Sequence, residues 1–181
     1  MLPPQSADVV HWGQSLHDRM GASPKTDPAT VVPRNAWPTI LRDVVVEVFF
    51  MMVGAMVLTP EGGEHLVLSE VTGMVGIAGP LSATLSLRCS MDSATRIAAQ
   101  MLGIPLEEAA AQKCDAVGEI CNMVAGSFRD KIGMGGQCML SVPTVLTGKD
   151  YQIRSRSVYV RVELPILFEH EPIWIALDIR Q

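Results

Sequence analysis

Apolar and polar residues alternate along this chain with two different periods, and the change of period marks the elements. From Asn35 to about Val53, and again across Leu106 to Ile132, apolar residues recur at helical spacing. Asn35 is placed to cap the first of these helices, and Pro38 falls in its first turn, where a missing N–H does no harm. Between the two long helices the period shortens. Glu64 to Gly73 and Ser82 to Cys89 read as two strands of a hairpin turning at Gly79-Pro80. Ser90 to Leu102 is a helix with Ser90 as its N-cap and Gly103 as its stop. Beyond the glycine cluster Gly133, Gly135 and Gly136 the stretches MLSVPTVLTG, DYQIRSRSVYVRVEL and PIWIALDI are strand-like, with turns at Gly148-Lys149-Asp150 and near His170-Glu171-Pro172. The pattern predicts an α+β fold in which long helices pack on an antiparallel β-sheet.

Within the second long helix, Asp115, Glu119, Asn122 and Gly126 fall on one narrow stripe at about 100° per residue. Val117, Ile120, Cys121, Val124 and Phe128 lie opposite, so burying them turns the two carboxylates and the carboxamide outward together. Gly126 extends the stripe without a side chain, at a cost of roughly 1 kcal/mol against alanine, and so marks a place of close approach. The competing interpretation is an ordinary solvated helix face.

Residues 1–34 are rich in proline and polar side chains and predict a flexible N-terminal extension, with the domain occupying 35–181. Apolar residues make up 48% of the 181 and charged ones 18%, which excludes a disordered chain. The net charge of −5, with no basic run, argues against nucleic-acid binding. Cys89, Cys114, Cys121 and Cys138 lack zinc-site spacing and sit in apolar surroundings, so they read as buried thiols in a reducing compartment with no metal. The start of the chain shows no basic patch followed by an apolar run, and cytoplasmic localisation is expected. Residues 44–58 are strongly apolar but too short to span a bilayer and include Glu47, so no membrane insertion is expected.

A shift of 72 residues lays the first long helix over the second: Asp43, Glu47 and Gly54 coincide with Asp115, Glu119 and Gly126, while Phe50 stands where Asn122 is. Leu68, Ser69 and Thr72 coincide with Leu140, Ser141 and Thr144. The echo suggests a duplicated unit of which one copy keeps a carboxamide and the other carries a phenyl ring, which neither donates nor accepts a hydrogen bond.

An acid, three residues, glutamate, two residues and asparagine, followed by a proline, are matched by Asp115, Glu119, Asn122 and Pro143. In this the chain resembles the CheX-type chemotaxis phosphatases, related to CheC and the phosphatase part of FliY. VTGMVGIAGPLSATLSL, SATRIAAQMLG and VPTVLTGKDY carry the likeness over roughly residues 37 to 180, and Pro143 arrives a residue or two early. The resemblance implies long helices on an antiparallel sheet with an internal pseudo-two-fold repeat, which agrees with the echo. It also implies removal of the phosphoryl group from the aspartyl phosphate of a CheY-type receiver domain, often by a homodimer. Asn122 suits orientation of the attacking water, because it is neutral and both donates and accepts. The resemblance assigns Glu119 to the receiver's active-site lysine, and Asp115, Gly126 and Pro143 are expected to serve in binding the receiver. No cofactor of its own is implied; Mg2+ would come from the receiver partner. For Asp115, stabilisation of the helix dipole is the alternative. Two other functions fit the same residues: a non-catalytic adaptor that binds a receiver or other signalling protein, and a dimerisation module with a merely solvated stripe.

Overall fold

A computed structural model describes residues 32–60, 70–149, 151 and 159–180. The predicted extension, apart from its last three residues, lies outside the described residues, as do Leu68 and Ser69 of the repeat.

The first helix, α1 (Trp37–Val53), starts differently from the expectation. Asn35 does not cap it: Arg34–Ala36 form a 3-10 turn, the N-cap is Ala36 without a side-chain hydrogen bond, and Pro38 does fall in the first turn. Tertiary anchoring sets the start instead. Trp37 donates from Nε1 to the Val32 carbonyl at 3.1 Å and lies edge-on against Phe128, with centroids 5.8 Å apart. The helix stops at Gly54, whose φ of 70° is the left-handed conformation a C-cap requires.

Next come β1 (Val71–Ala78) and β2 (Ala83–Cys89), paired antiparallel across the Gly79-Pro80 turn. The first strand runs past its predicted end at Gly73 to Ala78, and the predicted residues 64–69 lie outside the described set. Gly73 and Gly76 weaken any strand signal in VTGMVGIA. Both have a packing reason. A Cβ on Gly73 would lie 2.7 Å from the Cys121 Sγ, and Gly76 donates its N–H to the Ser141 Oγ at 2.8 Å.

Helix α2 (Met91–Leu102) is built as read from the sequence, with Ser90 Oγ accepting from the Ser93 N–H and Gly103 in the left-handed conformation. The single long helix expected over Leu106 to Ile132 is two: α3 (Leu106–Ala109) and α4 (Lys113–Lys131). Nothing in LEEAAAQK announces a break, since these residues all favour helix. The turn is tertiary: Ala109 is fully buried, and the Lys113 Nζ donates to the Ala110 carbonyl at 2.6 Å.

Four strands follow: β3 (Met139–Leu140), β4 (Thr144–Thr147), β5 (Tyr159–Phe168) and β6 (Glu171–Arg180). The order is β3-β1-β2-β6-β5, and β4 also pairs with β1. Thus β3 and β4 form one edge strand interrupted at residues 141–143, where Pro143 has no N–H to give to a ladder. The last turn is Glu169-His170, just before its predicted position, and both residues have positive φ. Arg96 and Gln100 of α2 donate to the Glu169 carboxylate, which ties down this strained hairpin. All strand pairings are antiparallel, and one core cluster joins the sheet to α1, α2 and α4.

Candidate functional site

Helix α4 fixes the site because its apolar face has no freedom. Val117, Ile120, Cys121, Val124 and Phe128 are each at most 1% exposed, and Cys121 with Val117 seats the helix on Gly73 of β1. With that face committed, helical geometry aims the opposite stripe outward. Asp115 and Glu119 are exposed and Asn122 and Gly126 half-buried. Among the described residues the side chains of Asp115, Glu119 and Asn122 have no hydrogen-bond or ion-pair partner within the protein. An acid and a carboxamide one turn apart thus stand free to meet another molecule.

Two walls frame the stripe. On one side Gly118, which sequence reasoning passed over, lets Pro143 and Val145 approach: a Cβ there would meet each at 3.4 Å. Pro143 is accordingly half-buried against the helix at Gly118. Gly126 does the same further along the helix, where a Cβ would lie 3.6 Å from Leu140, so the close approach it permits is made by this chain's own β3. On the other side Met101 and Leu102 at the end of α2 join Gln112, Asp115, Ala116 and Glu119 around a shallow recess of ≈ 210 Å³. Leu102 and Val142 stand 53% and 84% exposed at the two walls, a pattern that favours contact with a partner over a plain solvated face. The sequence held no sign of this pairing, because Leu102 closes α2 and Val142 lies in the break between β3 and β4, far apart in the chain.

The corresponding stripe on α1 differs. Asp43 and Glu47 are exposed, Glu47 is paired with Lys131, and Phe50 is 59% exposed. Gly54 ends its helix whereas Gly126 lies inside α4, so the coincident glycines do different work. Among the described residues no three His, Cys, Asp or Glu side chains are grouped to hold a metal ion, and no helix is long and apolar enough to cross a membrane.

Beneath the stripe the Cys89 and Cys121 thiols are held neutral. Burial pushes Cys121 up from an ordinary 9.0 to about 12, and burial together with the nearby Cys121 and Glu70 does the same for Cys89. A raised value in the folded state means that their contribution to stability is complete below pH 9.0 and is lost as pH climbs toward about 12. Since the thiolate is the reactive form and Cys138 is shielded by burial, alkylation at about pH 8 should label half-buried Cys114 first and spare buried Cys89, Cys121 and Cys138. Peptide mass spectrometry after a brief pulse reads this out; equal labelling of Cys121 would show that α4 lifts from the sheet.

Solved structures share this architecture. A CheC-like superfamily protein from Shewanella sp. PV-4 superposes with a TM-score of 0.69 at 21% identity, covering 82% of this chain and all of that one. The CheX of a CheX–CheY–BeF3–Mg2+ complex from Borrelia burgdorferi does so with a TM-score of 0.66 at 18% identity, over 80% of this chain and 98% of that one. The fold is therefore the CheC-like α+β fold. Residues 71–167 match the family described as chemotaxis phosphatase CheX, and the chain belongs to that family. The CheY-P phosphatase CheX of Thermotoga maritima is 28% identical over 103 residues, a match that spans 54% of this chain and 64% of that protein's length.

Proposed function

We propose that this protein is a phosphatase acting on the aspartyl phosphate of a CheY-type receiver domain, with Asn122 orienting the water and Glu119 docking the receiver. The observation that carries this reading is the pairing of an outward acid with an outward carboxamide, both without internal partners among the described residues, inside an apolar rim. Acyl-phosphate hydrolysis needs a water in line with the departing carboxylate oxygen, and holding it there replaces an unfavourable bimolecular encounter by an oriented one. The Asn122 Oδ1 accepts from that water. Water oxygen bonds to phosphorus, the phosphorus–oxygen bond to the receiver's aspartate breaks, and the aspartate leaves as a carboxylate while inorganic phosphate carries the water's protons. A neutral amide does this beside a dianionic group without repelling it.

Glu119 accepts from the receiver's lysine ammonium, which sets the registry of the two proteins. Asp115 lies one turn further toward the N-terminus and extends the contact; Pro143 and Gly126 keep β3 and β4 against the helix so that the stripe has a fixed wall. The divalent cation belongs to the receiver. This role is supported by the Borrelia burgdorferi neighbour, whose complex contains CheY and Mg2+. A homodimer in the cytoplasm belongs to the same reading; the sheet ends on β3–β4 at one side and β5 at the other, and strand edges are templates for pairing. Phe50, in place of a carboxamide, leaves α1 as the silent copy of a pseudo-two-fold pair.

The test is the lifetime of a phosphorylated receiver with and without the protein: catalytic shortening supports the proposal, and binding without shortening makes the protein an adaptor. Glu119→Ala should raise the dissociation constant for an activated receiver by about 30-fold, or about 2 kcal/mol, and slow turnover too. Unchanged affinity would remove the ion pair from the mechanism.

A further inference from the structure

The strands commit one face to the core: Leu85, Leu87 and Cys89 of β2 and Ile175, Leu177 and Ile179 of β6 are all buried. By alternation their neighbours point to the far face of the sheet. There Thr84, Ser86, Arg88, Arg161, Asp178 and Arg180 line a concavity of ≈ 410 Å³, away from the α4 stripe. Its lining is net positive in a protein of net charge −5, with three arginines against one carboxylate, although Glu163 beside it also pairs with Arg161 at 3.4 Å.

The carboxylate in the lining is spoken for. Arg161 holds Asp178 through both oxygens, at 2.5 and 3.0 Å, so Asp178 does not repel an anion as a free carboxylate would. Arg88 and Arg180 have no ion-pair partner among the described residues. The Arg88 Nε is moreover sealed from solvent without a hydrogen-bond partner among the described residues, a costly state for a charged donor. Ser86 and Thr84 bring hydroxyl groups to the same wall. The volume falls in the range of small-molecule sites, about 300–1,000 Å³.

We infer that this far-face cavity binds a small organic anion of nucleotide size, carrying phosphate or carboxylate groups that Arg88 and Arg180 contact while Ser86 and Thr84 meet its hydroxyl or carbonyl oxygens. The site stands independently of the phosphatase reading, since it shares no residue with the stripe.

Calorimetric titration of the full chain with ADP, pyrophosphate and citrate tests it. At least one probe should bind saturably and more weakly as salt is raised, and Arg88→Gln and Arg180→Gln should each weaken it by about tenfold or more, equivalent to about 1.4 kcal/mol. Arg42→Gln, an equal change of net charge on α1, should leave it unaltered. If Arg88→Gln does not fold by circular dichroism, Arg180→Gln carries the comparison, because Arg180 lies exposed at a strand end. Absence of saturable binding by any of the three probes at millimolar concentration, or binding that both substitutions leave intact, overturns the inference. So does sedimentation showing that either substitution splits a dimer of a chain that binds no anion, which would make this face an interface between copies.

Discussion

Asn122→Ala should slow release of phosphate from a phosphorylated receiver by about 10²- to 10³-fold, the usual loss when one preorganised hydrogen-bonding group is removed from a transition state. The fold should survive. Asn122 is half-buried, has no side-chain partner among the described residues, and occupies a helical position where alanine is the better former by a few tenths of a kcal/mol, so the melting temperature should stay level or rise slightly. Asn122→Asp separates geometry from charge. It keeps the shape and the acceptor but sets an anion beside the phosphoryl group, and should be about as inactive. Affinity for a receiver carrying a phosphoryl mimic should change little in the alanine variant, because Glu119 and the apolar rim remain. Retained turnover in either variant would remove Asn122 from the reaction; lost affinity in the alanine variant would make it a docking residue.

Phe128→Ala should cost about 3–5 kcal/mol of stability, because the ring is completely buried and its removal leaves a cavity against Trp37. Its ring packs edge-to-face with Trp37, and this contact joins the end of α4 to the start of α1, where Val32 also donates its N–H to the Ile132 carbonyl at 3.2 Å. At about 2–4 °C per kcal/mol for a domain of this size, the melting temperature should fall by roughly 6–20 °C. Below that temperature the specific activity per folded molecule should remain near the parent value, since Asp115, Glu119 and Asn122 sit at least a turn and a half away along the helix. Calorimetry and a phosphate-release assay on one preparation check both halves. A drop under about 2 °C would mean that the α1–α4 junction is not held by this ring.

The contrast between these two substitutions follows from how a helix is read. Residues that share a face are spaced by a fixed angle, so the outward direction of Asp115, Glu119 and Asn122 was legible once Val117, Ile120, Cys121, Val124 and Phe128 were recognised as the buried side. Local chemistry was legible for the same reason in α2, where Ser90 and Gly103 satisfy or free the backbone at the two ends without help from elsewhere. Asn35 failed as a cap because Trp37, anchored beneath Phe128, determines where α1 begins. The α3–α4 break escaped notice because burial of Ala109 overrides a run of helix formers. The end of β1 was set at Gly73 instead of Ala78 because Gly73 and Gly76 look like breakers until Cys121 and Ser141 are seen lying against them.

What the sequence by itself determined is the order and kind of the elements and the set of polar groups presented by α4, since both depend on periodicity and on interactions within a few residues. The tertiary structure alone decided what surrounds those groups. Pro143 reaches the stripe through strand pairing, Leu102 through the packing of α2, and the far-face arginines meet through the register of β2 with β6 and of β6 with β5. Such neighbours are set by contacts between residues distant in the chain, where no local spacing rule operates, and only the common burial of one core brings them together.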